Sequence, residues 1–251
     1  MGERVYRTEA LILRRTDFGE ADRLLLLVTP AGKQRVVAKG VRKTNSRLAG
    51  HIELFVQCQL MLAVGRNLDI VTQSQLVQSF SVMHADLGRL SCAYYVAELY
   101  DRLTQEEEAH AGLFRLLTQV FAAIDQTANL DLVVRACELQ LLHIAGYRPH
   151  FHRCPVCQDL LTEQANRFSP TLGGVVCQRD SVADRQALPM SLNTFKLLRF
   201  LQTQPLAAIE QLALSQSVRD EAAALLRAYV RPLLERELKS VAFLDEMMRN
   251  P

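Results

Sequence analysis

The chain has 251 residues, 49% hydrophobic and 22% charged, with a formal net charge of +2. This is the composition of a soluble globular protein able to bury a core, and the total charge does not call for a polyanionic partner. A membrane span is excluded, because the longest aliphatic run, Leu24 to Val28, is far too short, and no signal peptide is recognisable.

The elements begin with strands. Val5 to Arg15 has strand character, with Leu11 and Leu13 opposed to Ala10 and Ile12. Thr16 to Ala21 is turn-rich. Arg23 to Thr29 is a second strand, and its Leu-Leu-Leu-Leu-Val run predicts burial on both faces. Thr29-Pro30-Ala31-Gly32 suits a type I turn, so Lys33 to Lys39 is the return strand of a hairpin. Ile52 to Val64 and Leu68 to Gln78 complete five strands, with Gly65-Arg66-Asn67 between them. Five short strands in about eighty residues predict a small Greek-key barrel of the oligonucleotide-binding (OB) type, with an SH3-like barrel as the structural alternative.

Charge is unevenly distributed over this plan. Residues 1–80 carry 12 Lys/Arg against 7 Asp/Glu, and the remainder 17 against 20. A basic N-terminal third on a mildly acidic body predicts a nucleic-acid face on a scaffold. The basic residues concentrate between Gly32 and Arg47, where Lys33, Arg35, Lys39, Arg42, Lys43 and Arg47 occur without an acid among them. Period two places Lys33 and Arg35 on one face of the third strand, and Lys39-Gly40 opens a cationic loop. Such a strand and loop suit a line of phosphates; the same run also fits a solvated charged face. Phe18, in the first loop, either stacks a base or packs down on the barrel rim.

From about Ser81 the period becomes helical. Leu87, Leu90, Tyr94, Ala97 and Leu103 mark one helix, and Leu113–Ile124 and Leu132–Ala145 two more. Glu106-Glu107-Glu108 reads as a solvated triplet near a helix start. Gly146 is a C-cap with Pro149 beyond it. Ser191 or Asn193 can cap a helix through Leu201, which Gln204-Pro205 ends. Asp220 to Lys239 is the longest helix, kinked at Pro232. These helices are expected to pack on those of residues 81–148.

Six cysteines complete the reading. Cys58, Cys92 and Cys137 sit singly in apolar surroundings, as small core residues do. Cys154-Pro-Val-Cys157 is one metal knuckle, and Cys177-Gln-Arg-Asp180 resembles a second with Asp180 in place of a cysteine. Cys154, Cys157, Cys177 and Asp180 therefore predict one structural zinc ion, with His150 or His152 as alternative fourth ligands; a degenerate ribbon that folds without metal is the other reading. This cysteine usage fits a reducing cytosol. The fold expected is a multidomain α+β protein: an OB-type barrel over residues 1–80, a helical domain over 81–149 and 189–251, and a zinc-ribbon-like insert over 150–188. No P-loop, dinucleotide or nucleophile-elbow motif appears, no acidic cluster reads as a two-metal nuclease site, and His143 reads as a core histidine, so no enzyme is expected.

The stretches Asp17-Phe-Gly-Glu-Ala-Asp-Arg23, Thr29-Pro-Ala-Gly-Lys33 and Val37-Ala-Lys-Gly-Val-Arg-Lys43 resemble the N-terminal signature of the bacterial RecO family. Cys137-Glu-Leu-Gln-Leu-Leu-His-Ile-Ala-Gly-Tyr-Arg-Pro149 resembles its helical-domain signature, followed by Cys154-x-x-Cys157 and Gly173-Gly174-x-x-Cys177. Asp180 departs from zinc-bearing relatives, which have a fourth cysteine. The resemblance implies a cytoplasmic, nucleoid-associated DNA repair and recombination mediator. It would bind single- and double-stranded DNA, anneal complementary strands and, with RecR, help load RecA onto DNA coated by single-strand-binding protein. It also implies docking of that coating protein's acidic tail on the helical domain, for which Arg135 and Leu142 are the candidates. Arg135 lies one turn before Leu139, with Leu142 beyond, so a cation and an apolar wall could share a helix face; the other reading is that these leucines are simply core. A barrel-plus-ribbon RNA-binding or transcription-associated module is the competing expectation.

Overall fold

The structure, a computed structural model, describes residues 5–44, 46, 48–105, 111–164, 166–234, 244 and 247. Five strands, β1 (Val5–Phe18), β2 (Asp22–Thr29), β3 (Gly32–Ala38), β4 (Gln57–Ala63) and β5 (Asp69–Gln78), close a barrel in the order β1-β2-β3-β5-β4. All neighbours are antiparallel except β3 and β5, which pair in parallel only at Val36–Asp69 and Val37–Ile70. This is the OB-type Greek-key barrel. Its interior is filled by inward-facing residues of every strand, among them Ala10, Ile12, Leu25, Leu27, Val36, Ala38, Cys58, Leu60, Leu62 and Val71.

The Leu-rich β2 is buried on both faces. Leu25 and Leu27 enter the barrel, while Leu26 and Val28 point outward yet are also enclosed. The cover is a helix: after α1 (Ser81–Ala85) and α2 (Leu87–Leu103), α3 (Ala111–Gln126) packs on β1, β2 and β3. Phe121 of α3 meets Phe55 and Phe80 at ring-centroid distances of 5.5 and 6.0 Å.

Two boundaries differ from expectation for local reasons. β1 continues through Phe18, so only Gly19–Ala21 turn, with Gly19 at φ +57°. The expected fourth strand starts five residues late. Phe55 takes φ +57° and its N–H bonds to Ile12 O at 2.7 Å, where β1 itself shifts register. This places the Phe55 ring edge-on to Tyr94 at 4.8 Å. A left-handed bulky residue is an unfavourable backbone state, held here by burial of a whole aromatic side chain.

The chain divides into two compact units. The first comprises the described residues of Met1–Ala97 and Thr104–Gln126, and the second those of Glu98–Leu103 and Thr127–Pro251. In the second unit α4 (Leu130–Ile144) packs on α5 (Leu192–Thr203) and α6 (Gln216–Leu233), as expected of the helices that flank the Cys-rich segment. Ser191 caps α5 by accepting the Thr194 N–H, and Gly146 at φ +82° follows α4. Pro232 lies in the last turn of α6, and the continuation expected to Lys239 falls outside the described residues. The segment between α4 and α5 holds a three-stranded sheet, β7 (Gly174–Val176), β6 (Asn166–Ser169) and β8 (Leu188–Met190) in that spatial order. Phe168 on β6 stacks on Phe151 at 5.9 Å and meets Tyr229 of α6 edge-on at 5.9 Å, which fastens the small sheet to the helices. Among the described residues no helix is long and apolar enough to cross a membrane.

Candidate nucleic-acid interface and metal centre

On the barrel, the β1–β2 turn and the loop after β3 form one piece. The Gly40 N–H donates to Asp22 Oδ1 at 2.7 Å, and the Arg42 N–H to Ala21 O at 2.9 Å. The Arg42 guanidinium lies 3.4 Å from both Asp17 Oδ2 and Gly19 O. Lys39, Gly40 and Lys43 face Glu20, Ala21 and Asp22 across an open cleft of about 590 Å³. Gly40 needs its φ of +63°, which turns the chain out of β3 into this loop. A run free of acids in sequence is thus faced by three carboxylates from the neighbouring turn. Asp22 and Asp17 hold the loop in place through the Gly40 N–H and the Arg42 guanidinium, and the two lysines remain exposed at its rim.

The six basic candidates separate. Lys39, Arg42 and Lys43 are exposed and contiguous. Lys33 shares a strand face with the exposed Arg35, as period two requires, but it is 6% exposed and its Nζ donates to Thr104 O at 3.1 Å. It is therefore a tether within the first unit and does not continue the cationic surface. Arg47 falls outside the described residues. Sequence reasoning missed Arg14. The register of β1 on β2 and of β2 on β3 aligns Arg14, Leu26 and Arg35, and the two arginines line a groove of about 200 Å³ with Thr16 and Leu24. The β1 register shift beyond Ile12 conceals this alignment from simple alternation. Phe18 does not pack down on the rim, since it is 53% exposed.

The docking strip expected on α4 is not presented to solvent. Leu142 is fully enclosed, and the buried Arg135 is paired with the fully buried Glu138 at 2.9 Å. His143, expected in the core, is exposed on the same helix. Cys58, Cys92 and Cys137 are buried thiols; burial pushes Cys58 up to about 11 and raises Cys137 as well.

The second unit gathers Cys154, Cys157, Cys177 and Asp180, whose ligand atoms all lie within 4.8 Å of one another. Cys157 Sγ and Cys177 Sγ are 3.9 Å apart, and Asp180 Oδ2 lies 3.3 Å from Cys154 Sγ and 3.2 Å from Cys177 Sγ. A tetrahedral ion ~2.3 Å from each sulfur sets its sulfurs about 3.8 Å apart, so the donor set fits one metal ion. Neither His150 nor His152 joins it; the His152 ring lies instead 3.2 Å from the Arg199 guanidinium. Burial raises the Cys154 thiol, but hydrogen bonds from the backbone N–H groups of Cys157, Cys177 and Val156 outweigh it and hold the group below its ordinary value. Such bonds favour a thiolate at Cys154, the form a metal needs, whereas the bond with the Asp180 carboxylate pushes the Cys157 thiol up to about 12. Gln158 at φ +63° closes the first knuckle, with its N–H on Cys154 O at 2.9 Å. The Arg179 guanidinium bonds Asp159 at 2.9 Å and approaches Asp180 at 3.5 Å, orienting the carboxylate from outside.

The family description "Recombination protein O N terminal" matches residues 1–80, and "Recombination protein O C terminal" matches residues 84–242. The two meet where the sequence period changes from two to helical. The DNA repair protein RecO of a Roseiflexus species is 53% identical over 247 residues, 98% of this chain and 87% of that protein. The RecO proteins of Dehalococcoides mccartyi and Desulforamulus reducens are 37% and 33% identical over 97% and 98% of this chain, and 96% of each relative is covered. The chain belongs to the RecO family of DNA repair and recombination proteins.

Proposed function

We propose that this chain is a non-enzymatic recombination mediator. It binds single- and double-stranded DNA on the barrel, anneals complementary strands and, with RecR, helps load RecA onto DNA coated by single-strand-binding protein. The observation that carries DNA binding is the joined β1–β2 turn and basic loop, with Lys39, Arg42 and Lys43 exposed on an OB-type barrel. Annealing requires two phosphate backbones to approach one another. A cationic rim that contacts phosphates serves that need for any sequence. The reaction takes place in the cytoplasm, at the nucleoid.

The second unit serves as a scaffold. Cys154, Cys157, Cys177 and Asp180 hold one structural zinc ion, which cross-links the two knuckles and so stabilises the fold of the insert. The acidic tail of single-strand-binding protein is a further partner, received on a surface other than the enclosed Arg135–Leu142 strip. The test is strand annealing on complementary DNA pre-coated with single-strand-binding protein, with and without its tail and with and without RecR. Annealing that depends on the tail is expected. Purified protein that anneals neither naked nor coated strands refutes the reading. A preference for RNA over DNA in competition would favour an RNA-binding module instead.

A further inference from the structure

Phe18 ends β1, pairs with Asp22 across the turn, and keeps 53% of its surface exposed. A single exposed apolar side chain is ordinary; the neighbours of this one are not. Asp17 and Gly19, on either side of Phe18 in the chain, are the two residues that hold the Arg42 guanidinium. Asp22, its strand partner, holds the Gly40 N–H and so fastens the loop carrying Lys39 and Lys43. The turn after Phe18 and the loop carrying Lys39, Arg42 and Lys43 are therefore joined by hydrogen bonds. Alternation puts the Asp17–Arg42 pair on the other face of β1 from Phe18, while the strand pair Phe18–Asp22 shares a face and Asp22 lines one cleft with Lys39 and Lys43. An exposed aromatic side chain on the face that leads through Asp22 to Lys39 and Lys43 matches the two parts of a single strand: a base to stack and phosphates to neutralise.

We infer that Phe18 stacks one unpaired base of a strand whose phosphates lie along Lys39, Arg42 and Lys43. The inference rests on the proposed DNA contact at this loop and assigns it a preference. In a duplex the base faces are already stacked on their neighbours, so the ring rewards single strands alone. Cations treat both forms as lines of charge, and the ring is the element that tells them apart.

The chain contains no tryptophan, so Phe18→Trp carries a sole indole reporter. Phe18→Ala, Phe18→Trp and the triple variant Lys39→Glu/Arg42→Glu/Lys43→Glu are titrated with a thymidine oligomer, an abasic oligomer of equal length and a duplex. Phe18→Ala should weaken thymidine-oligomer binding roughly ten-fold without changing the salt slope, and leave the abasic oligomer and the duplex as for wild type. The Phe18→Trp indole should be quenched by the thymidine oligomer and not by the abasic one. If Phe18→Ala binds the thymidine oligomer as wild type does while the triple variant loses affinity, the ring stands aside and the cationic contact survives. Equal losses on all three ligands also overturn stacking. A triple variant that loses nothing overturns the loop assignment itself.

Discussion

Replacing Arg135 by alanine should destabilise the second unit severely. Arg135 and Glu138 lie three residues apart on α4, their side chains 8% and 0% exposed, joined at 2.9 Å. With charge centres about 4 Å apart and an effective dielectric of about 20, the attraction is about 4 kcal/mol. Removing the arginine takes this cation away from a fully buried carboxylate, and breaking a buried pair in this way typically costs about 3–5 kcal/mol. The double variant Arg135→Met/Glu138→Leu removes both charges, and buried pairs replaced together are often neutral. Urea unfolding followed by circular dichroism measures both. The single variant should lose most of the stability of a domain of ordinary margin, and the double should recover most of that loss. A single variant within about 1 kcal/mol of wild type would refute the reasoning, because Arg135 would then be an ordinary surface cation and a docking role could be restored to it.

Chelation or Cys177→Ser should remove the zinc and the folded signal of the insert while the barrel still binds DNA; elemental analysis with limited proteolysis checks this, and full protease resistance without metal would count against a structural ion. Asp180→Cys should tighten zinc retention against a competing chelator, since a thiolate replaces a carboxylate in a set the geometry already holds. Gly174→Ala should destabilise the insert, because a Cβ there would sit 2.5 Å from His150 O and 2.9 Å from His150 N, both backbone atoms. Thermal unfolding of the zinc-loaded protein should show a lowered transition for this variant, and an unchanged one would mean that the His150 segment yields freely.

What was legible in the chain followed from period and spacing. Alternation, or for β2 a continuous apolar run, marked five strands, and helical recurrence marked the helices. Cysteine spacing brought three thiolates and Asp180 together, since two tight turns on a small sheet leave little freedom. What escaped depended on contacts distant in sequence. Lys33 was assigned to the correct face, but Thr104, 71 positions away, supplies the carbonyl that draws its amine inward. Arg135 and Leu142 were read as a docking strip because an acidic tail with an apolar end needs a cation beside an apolar wall, and helical spacing lets the two share a face. Yet Leu132 through Leu139, Leu141 and Leu142 are all buried, and a helix enclosed all round leaves no periodic signal of which side faces solvent. The acids facing the basic loop belong to a different turn, so a run that looks purely cationic is in fact braced by Asp17 and Asp22.

The central claim is that the loop after β3 carries the DNA. It is tested most directly by the salt dependence of single-strand binding for wild type and for the folded triple variant Lys39→Glu/Arg42→Glu/Lys43→Glu. Each phosphate contact removed lowers the slope of log affinity against log salt by about 0.7. The account predicts a slope reduced by about 2 and affinity lost alike for every base sequence. A folded triple variant with wild-type affinity and slope would contradict it and move the DNA contact off this face of the barrel.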